Sequence, residues 1–451
     1  MKPSAYTARV DADAIVIGAG AAGLAAARYL AQRSFRVVML EARDRVGGRV
    51  WSRQLSGVTT PVELGAEFIH GPAHETMLLL REARLTAVAV GNEAWVCDNR
   101  RGLIRDTQNF IGAAQVMAGA RESASDESAE QYLERLARDD ATREAAEAAR
   151  EFVEGFDAAD PAIASARAIA DELHSGVDSQ SARPVGGYGP MFELLRRTCD
   201  AAGVVMVFST IARRISWRGG AAAVEFSDVK GDVQTLQARA LIITLPIGVL
   251  RYEGDQHRVT FNPVLPAAKR EAFRKLEMGS VVKIVLSFRT AFWERIGGGR
   301  YRDAAFFRCK EQPFAVYWTQ WPLHSNAIVA WVGGPKAVAL QGLSEDALVS
   351  QALDSFGALC NEGNLARQEF EGGLMHDWES DPFARGAYSY VTVGGADARA
   401  DLAAPVEGTL FFAGEATSTD GQGGTVNGAI VTGERAAAEV VASFHARGDS
   451  R

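Results

Sequence analysis

At 451 residues the chain is too long for one compact core, so its length predicts two domains. A hydrophobic content of 47% and a charged content of 23% are typical of globular proteins and exclude a disordered or fibrous class. The net charge of −8 argues against nucleic-acid binding, for which a basic face is usual. The N-terminal residues lack the apolar stretch of a signal peptide, and no apolar run reaches the ~18 residues that span a bilayer. We therefore expect a cytoplasmic protein without a membrane partner.

The cysteines predict neither a metal site nor a redox motif. They lie far apart in the sequence, without a C-x-x-C pair, at Cys97, Cys199, Cys309 and Cys360. Such spacing is typical of reduced thiols in a cytosolic enzyme. We expect no bound metal.

Residues 13–49 carry the pattern of a dinucleotide-binding unit. An apolar run, 14–17, predicts a strand, and a later alanine-rich segment predicts a helix. Gly18, Gly20 and Gly23 lie at the junction of these two elements, with the spacing G-x-G-x-x-G. The first glycine allows a sharp turn, the second lets the backbone approach a pyrophosphate, and the third lets the helix pack closely on the strand. The diphosphate can then lie at the N-terminus of the helix.

An acidic residue and two arginines follow where such a ligand needs them. A second predicted strand, 37–40, ends in Glu41, about 20 residues after the glycines, where a ribose hydroxyl needs an acceptor. Arg43, Gly48 and Arg49 then place guanidinium groups and bare glycine backbone beside the same diphosphate. Taken alone these residues would be an ordinary basic turn, but the preceding glycines favour a dinucleotide.

The run E-A-x-x-R-x-G-G-R at 41–49 resembles the FAD-binding start of the flavin-containing amine oxidases, the family of monoamine oxidases, polyamine oxidases and lysine-specific histone demethylases. The resemblance continues to about residue 442. In the first unit it implies an FAD site at Gly18, Gly20, Ala22, Gly23, Glu41, Arg43, Gly48 and Arg49.

Residues 62–72 predict a strand that runs into a Gly-Pro turn, and they resemble the family's segment that passes the flavin ring. The resemblance implies that the backbone around Glu67 and Phe68 touches the cofactor. His70 matches a histidine of the animal polyamine oxidases, which implies a place in the substrate site. A turn histidine bonded locally explains His70 equally well.

The block 76–185 is rich in Ala, Glu and Arg and predicts helices. Charges such as Glu147 and Arg150 indicate a solvated helix face, with breaks near Gly155 and Pro161. The block has no fingerprint of its own, so we expect an inserted helical part of a substrate domain.

Glycine and β-branched residues return from about residue 186, with a predicted strand at 241–245. Here the resemblance implies that Ile211 packs near the adenine end of FAD, although an ordinary core isoleucine fits equally well. The expected fold class is α/β, a doubly wound, FAD-binding Rossmann-type domain interleaved with a mixed sheet-plus-helix substrate domain. Both domains are expected to be discontinuous, the first with residues 1–75, 186–272 and 382–451, the second with residues 76–185 and 273–381.

Lys283 is the charged residue of an apolar strand predicted at 281–288. Alternation places it opposite the face of Val282 and Ile284, and so toward water or a polar cavity. A lysine that protects an edge strand is the alternative. The spacing G-S-x-x-K before a Phe-Trp pair resembles the family's flavin-facing lysine segment, where the lysine holds a water against flavin N5. We therefore expect Lys283 to be catalytic.

Residues 376–390 are rich in aromatic residues, which in other proteins usually form core. The segment resembles the family's strand beside the flavin. This implies that Trp378 lies next to cofactor and substrate, and that Tyr388 is a catalytic tyrosine of the amine cage. Ala387 stands where the monoamine oxidases have the cysteine that bonds to FAD, so we expect FAD to be bound non-covalently.

Residues 410–415 predict a strand that ends in Glu415, and a long helix opens near Thr425. The positive N-terminal end of that helix can stabilise negative charge on a reduced flavin. The resemblance implies that Glu415 binds the ribitol and that the Val426 amide meets the flavin ring. Thr425, expected beside cofactor and substrate, replaces a second cage tyrosine of the monoamine oxidases.

The resemblance as a whole implies an FAD-dependent amine oxidase. Such an enzyme oxidises the C–N bond of a primary or secondary amine, polyamine or monoamine, to an imine and reduces O2 to hydrogen peroxide. The alternatives are a flavin amine dehydrogenase with a protein or quinone acceptor, an FAD-dependent desaturase, and a non-enzymatic flavin-bound interaction protein. An amino-acid oxidase is less expected, because the sequence shows no obvious arginine clamp. The oligomeric state stays open, with a homodimer as one option.

Overall fold

The computed structural model describes residues 11–448, except 92, 99–101, 107–110, 178, 229 and 255. The strands form two large sheets and several short ladders. In chain order they are β1 (Ala12–Ile17), β2 (Val37–Leu40), β3 (Ser52–Arg53), β4 (Val62–Glu63), β5 (Ile69–His70), β6 (Ala87–Ala89), β7 (Ala94–Asp98), β8 (Gly102–Asp106), β9 (Ser181–Pro184), β10 (Val205–Val207), β11 (Ile211–Arg218), β12 (Ala221–Ser227), β13 (Val233–Ile243), β14 (Thr260–Asn262), β15 (Leu276–Met278), β16 (Val281–Phe288), β17 (Phe306–Arg308), β18 (Val316–Trp318), β19 (Ala327–Gly333), β20 (Phe370–Met375), β21 (Ser389–Val391) and β22 (Leu410–Phe412).

The helices pack on these sheets or on one another. They are α1 (Ala21–Ala31), α2 (His74–Glu82), α3 (Ile111–Ala118), α4 (Ala129–Leu136), α5 (Arg143–Gly155), α6 (Ala166–His174), α7 (Gly189–Ala201), α8 (Ile247–Leu250), α9 (Ala267–Lys275), α10 (Gly334–Val338), α11 (Glu345–Cys360), α12 (Gly363–Glu369), α13 (Ala398–Ala403) and α14 (Val426–Ala446). Single 3-10 turns occur at Gly119–Glu122, Phe292–Glu294, Ile296–Gly299 and Glu415–Thr417.

The first large sheet has the strand order β10-β2-β1-β13-β12-β11-β14, and β22 lies beside β13. At its centre β1 pairs in parallel with β2 and β13, with Ile15 opposite Val38 and Leu241. Every residue of β1 is buried. Alternate side chains enter two different cores, Val16 packing with α1 and α14 and Ile15 on the opposite face. A parallel strand covered on both faces is typical of a doubly wound sheet.

The second large sheet has the strand order β20-β16-β19-β18-β17-β7-β8. Strand β16 lies between β19 and β20, antiparallel to both, with Lys283 opposite Trp331. Lys283 is only 4% exposed. The alternative of an edge-strand lysine is therefore wrong.

Helices α3 to α6 lie in the block expected to be a helical insert and share a core that includes Phe152 and Ile169. Ser128 and Gln131 form a capping box at the start of α4. Helix α5 ends at Gly155, where the sequence predicts a break. The expectation of a purely helical block is incomplete, because β7 and β8 extend the second sheet.

Cys97 of β7 and Cys309, which follows β17, form a disulfide, while Cys199 and Cys360 are free thiols. The expectation of four reduced cysteines is therefore wrong. Strands β7 and β17 are parallel neighbours, and this pairing brings together two cysteines that are 212 residues apart in sequence. Spacing along the chain cannot reveal a pair made by sheet topology.

Within the described ranges no helix is long and apolar enough to cross a bilayer. The same part of the chain contains no group of three or more His, Cys, Asp or Glu side chains arranged to hold a metal ion. The domain boundaries stay a prediction. The short β15–β21 ladder joins residues 276–278 to 389–391, which that prediction assigns to different domains.

Candidate active site

A cavity of about 540 Å³ lies between the two large sheets. One end is lined by the turn after β1 and by the end of β2. The other end is lined by β16, β18 and β19 of the second sheet and by the last turn of α5. Segments that are distant in sequence therefore line one cavity.

The turn between β1 and α1 has the glycine geometry that a diphosphate requires. Gly18 has a φ of +104°, and a Cβ on Gly23 would lie 1.8 Å from the Gly18 carbonyl oxygen. A Cβ on Gly20, by contrast, would find nothing within 4 Å, so the backbone there is open to the cavity. Gly20 is also the N-cap of α1 and offers no side-chain acceptor to its first turn. This helix end is thus shaped to receive an anion.

Glu41 is buried on the cavity wall at the end of β2. Its carboxylate accepts hydrogen bonds from the Ala19 amide at 2.7 Å and from the Arg43 amide at 2.8 Å. Burial raises the pKa of Glu41, and the two amides oppose that rise. The carboxylate is therefore fixed beside the glycine turn, as a ribose acceptor requires.

Arg43 lines the cavity and pairs with Asp381 at 2.8 Å. His376 lies 2.7 Å from the same carboxylate. Burial alone would raise the pKa of Asp381, but the His376 hydrogen bond and the Arg43 charge bring it down to about 2. The guanidinium of Arg43 is thus held in place by a carboxylate that stays ionised.

Arg49 joins two later segments of the chain at the cavity. It donates to Glu415 at 2.9 Å and to the Ala387 carbonyl at 2.7 Å. Glu415 also accepts from the Ser389 hydroxyl at 2.7 Å and from the Gly424 amide at 3.1 Å. The buried carboxylate is therefore oriented before any ligand binds.

Helix α14 begins at the cavity, as the sequence predicts, with Thr425 as its N-cap. The Thr425 hydroxyl accepts from the Gly428 amide at 2.9 Å and donates to the Gln422 carbonyl at 2.9 Å. The cap thus occupies this hydroxyl, while Thr425 and Val426 remain on the cavity wall.

Lys283 reaches the cavity from β16. Its ammonium group donates to the Gly65 carbonyl at 2.9 Å and to the Glu67 carboxylate at 2.8 Å. The strand predicted within residues 62–72 is not continuous in the described structure. Only β4 and β5 are strands, and residues 64–68 between them turn toward Lys283.

An aromatic wall covers the end of the cavity beside the second large sheet. His70 packs edge-on against Phe156 at 5.1 Å, and Phe68 contacts both His70 and Trp318. Trp331 continues the wall beside Trp318 at 5.5 Å. Burial lowers the pKa of His70 to about 4, so the imidazole is neutral at physiological pH. Its Nδ1 lies 3.2 Å from the Ser181 hydroxyl.

The tryptophan and tyrosine named from the 376–390 segment also reach the cavity. Trp378 donates from its indole nitrogen to the Leu64 carbonyl at 2.8 Å. Tyr388 donates from its hydroxyl to the Phe156 carbonyl at 2.6 Å. Ala387 lies on the same wall, and no cysteine of the described residues does.

The structure thus brings the residues named from sequence to one place. All of them line the cavity except Gly23, which packs behind the turn; those on the wall include Ala22, Gly48 and Ile211. The individual contacts of these residues with ligands stay predictions.

Sequence reasoning missed several residues of the site. Arg183 and Gln320 stand behind Glu67, and Phe156 and Glu154 come from a helix interpreted as solvated surface. Arg308 also lines the cavity, paired with Asp106. The 3.6-residue period of α5 predicts its apolar face, but it does not predict which residues or cavity that face contacts.

The family described as flavin containing amine oxidoreductase matches residues 21–441 of the chain. Because this match covers most of the sequence, the protein belongs to that family. The expected family and flavin cofactor are thereby confirmed.

Individual relatives agree with this assignment. Lysine-specific histone demethylase 1 homolog 2 of Oryza sativa subsp. japonica is 26% identical over 463 residues, covering 97% of this chain and 58% of that protein. Polyamine oxidase 3 of the same organism is 29% identical over 478 residues, covering 94% and 88%. A solved structure of wild-type putrescine oxidase bound to putrescine has a TM-score of 0.77 at 23% identity, covering 96% and 99%, which confirms the fold class. The chain spans about half the length of the demethylase relatives that it matches.

Proposed function

We propose that the protein is an FAD-dependent amine oxidase. The reaction converts an amine, O2 and water into a carbonyl compound, a shorter amine or ammonia, and hydrogen peroxide, through an imine. One observation carries the proposal: a single cavity joins the glycine turn and Glu41 at one end to Lys283 and an aromatic wall at the other. A dinucleotide that enters at the first end would extend toward the second.

The residues present fit FAD. The open backbone at Gly20 and the free helix end of α1 would receive the diphosphate. Glu41 would accept from the ribose hydroxyls, and Glu415 with Arg49 would meet the ribitol part of the molecule. The amide of Val426, at the positive end of α14, would face the ring. When bound, FAD supplies a two-electron acceptor for the amine and a donor for O2.

We further propose that FAD binds without a covalent bond. Ala387 occupies the wall where the related monoamine oxidases attach their cofactor, and a methyl side chain cannot form a thioether. The ion pair of Arg49 with Glu415 then orients the segment that a covalent bond would otherwise fix.

The substrate end is suited to a neutral amine. Its walls are mainly aromatic, and His70 is neutral at physiological pH. A site of this kind disfavours an ammonium ion and so favours the deprotonated amine, whose lone pair assists oxidation at the adjacent carbon. Tyr388 and Phe156 shape the wall, and Lys283 lines the same cavity.

Charge on the cavity wall near α5 does not select between a monoamine and a polyamine. Glu151 and Glu154 of α5 line the wall, but so do Lys310 and Lys336. Lys336 lies 3.8 Å from Glu154, and Lys310 lies 3.9 Å from Glu151. Because each carboxylate has a lysine nearby, these charges favour neither class of amine, and the assay below includes both.

The cytoplasmic location and a homodimer remain proposals on sequence grounds. The disulfide between Cys97 and Cys309 does not support the cytoplasm, since the cytosol keeps thiols reduced.

The proposal is tested by mixing the purified flavoprotein in air with monoamines, diamines and polyamines while recording flavin absorbance and peroxide. We expect at least one amine to bleach the flavin and yield peroxide. Bleaching without peroxide would instead identify a dehydrogenase with another acceptor. A bound flavin that no amine bleaches would contradict the proposal and favour a desaturase or an interaction protein.

A further inference from the structure

We propose that Glu67 is a positioning residue for Lys283, and that Arg183 behind it leaves this buried cluster with a net positive charge at the cavity. The inference rests on the proposed function and deepens it, since it assigns the side chains that prepare the site for O2. From sequence, only the backbone of Glu67 was expected to matter.

Glu67 lies between two cations. One carboxylate oxygen accepts from the Lys283 ammonium at 2.8 Å. The other accepts from the Gln320 amide at 3.3 Å and lies 3.5 Å from the Arg183 guanidinium. The side chains of Glu67, Lys283 and Arg183 are 6%, 3% and 3% exposed.

This arrangement leaves Lys283 one donor for the cavity. An ammonium group has three N–H bonds. The Gly65 carbonyl takes one at 2.9 Å and Glu67 takes another at 2.8 Å. Because both acceptors are fixed by the protein, the remaining N–H bond of Lys283 has a defined direction at the cavity wall, where the ammonium lies 5.5 Å from the centre of the Trp318 ring. A lysine without Glu67 would keep its long, flexible stem and lose that definition.

The charges of the cluster do not cancel. Lys283 and Arg183 share the Glu67 carboxylate, so these three side chains carry a net charge of about +1, which water screens weakly at such burial. Glu63 also interacts with Lys283, but burial raises its pKa to about 7, so it offsets only part of this charge near neutral pH. Burial opposes the charge on Glu67, but Lys283 and Arg183 hold its pKa below the usual value. Arg183 is itself anchored, because it donates to the Thr319 carbonyl at 2.9 Å.

A fixed donor with a positive field suits the reduction of O2. In this reaction O2 takes two electrons and two protons from the reduced cofactor and its surroundings and becomes hydrogen peroxide. Negative charge appears on oxygen before both protons arrive. A donor already oriented toward that charge lowers the barrier without reorganisation.

The test measures how fast O2 reoxidises the holoenzyme after chemical reduction, so it needs no amine. Glu67→Gln makes the cluster more positive but leaves the Lys283 ammonium without its fixed acceptor, so charge alone would predict faster reoxidation and positioning predicts slower reoxidation. We expect it to slow reoxidation by about tenfold or more, as the loss of a charge-assisted interaction would give. Lys283→Met should slow it to a similar extent. The double variant should be no slower than Lys283→Met alone, because Glu67 acts through Lys283.

Asp13→Asn is the matched control. Asp13 is at least as buried as Glu67, but it accepts from the Arg36 amide at 2.8 Å and does not line the cavity. Its reoxidation rate should equal that of the wild type. The proposal would be overturned if Glu67→Gln reoxidised within about twofold of the wild-type rate. It would also be overturned if the rate decrease in the double variant equalled the product of the two single-variant decreases.

Arg183→Met keeps the Lys283–Glu67 pair but removes the excess positive charge. It replaces Glu67→Gln in the test if that variant does not fold. Its second readout is the affinity of the oxidised enzyme for sulfite, followed by flavin absorbance. We expect roughly tenfold weaker sulfite binding. An unchanged affinity would contradict the charge argument. Because neither readout uses an amine, an enzyme that oxidises no amine would refute the proposed function without deciding this test.

Discussion

The hydroxyl of Tyr388 donates a 2.6 Å hydrogen bond to the carbonyl oxygen of Phe156. Phe156 follows the last residue of α5, so this bond ties the helical insert to the segment that enters β21. Burial raises the pKa of Tyr388, which keeps its hydroxyl protonated and able to donate. The ring lies against Gly424, where a Cβ would come within 3.3 Å. Tyr388 thus holds two walls of the cavity together while its ring lines the space between them.

Tyr388→Phe should lower the free energy of unfolding by about 1–3 kcal/mol, because the Phe156 carbonyl loses its buried donor. The ring remains, so the amine KM should change little. Tyr388→Leu removes the ring as well and should raise KM. Thermal unfolding and steady-state kinetics measure the two effects. Equal stability of Tyr388→Phe and the wild type would show that the hydrogen bond does not hold the insert.

Gly20→Ala and Gly23→Ala should separate cofactor binding from folding. A methyl group at Gly20 enters open space in the cavity, so the protein should fold but bind FAD roughly tenfold more weakly, since it displaces a charge-assisted contact with phosphate. A methyl group at Gly23 would lie 1.8 Å from the Gly18 carbonyl oxygen and should destabilise the fold itself by about 1–3 kcal/mol or more. FAD titration of the apoprotein and its unfolding curve distinguish the two. Unaltered FAD affinity in Gly20→Ala would place the diphosphate elsewhere.

Arg49→Met should weaken both the fold and FAD retention, because it leaves the buried Glu415 carboxylate without its partner at 2.9 Å. Breaking a buried pair from one side costs roughly 3–5 kcal/mol. Arg49→Met with Glu415→Gln removes the unpaired charge too, so the double variant should regain part of the lost stability. Urea unfolding of the wild-type, Arg49→Met, Glu415→Gln and double-variant apoproteins checks this. A double variant as unstable as the sum of its parts would mean that the two side chains act separately.

His70 should make the protein acid-sensitive in a defined window. The folded state holds its pKa near 4, while the unfolded chain titrates near 6.5. As pH falls from about 6.5 to 4, His70 binds a proton in the unfolded state but not in the folded state. The free energy of unfolding therefore falls by up to about 3 kcal/mol. Above pH 6.5 both states are neutral and the contribution is constant. His70→Gln cannot titrate, so its unfolding temperature should decline less steeply over this range, and parallel curves would contradict the buried neutral histidine.

The glycine turn, Glu41, Lys283 and the opening of α14 were predictable from sequence because local rules determine them. A tight turn needs glycine, a strand alternates, and a helix begins at a cap. The family resemblance then assigns these residues to a common site, although they are far apart along the chain.

The partners of these residues were not predictable in the same way. Glu67 meets Lys283 across 216 positions, and Arg183 approaches from another strand. Phe156 reaches the cavity only because of how α5 packs on the second sheet, and the Cys97–Cys309 bond depends on the pairing of β7 with β17. Such contacts depend on tertiary packing, and one sequence carries no local signal for them.

Anaerobic rapid mixing with an amine tests the central claim most directly. The purified holoenzyme is mixed with the most active amine, either ordinary or deuterated at the carbon beside nitrogen, and the flavin absorbance is followed. An amine oxidase with this cavity should bleach in a single turnover, and more slowly with the deuterated amine, because the C–H bond breaks in that step. Flavin absorbance that no amine changes would contradict the assignment as an amine oxidase.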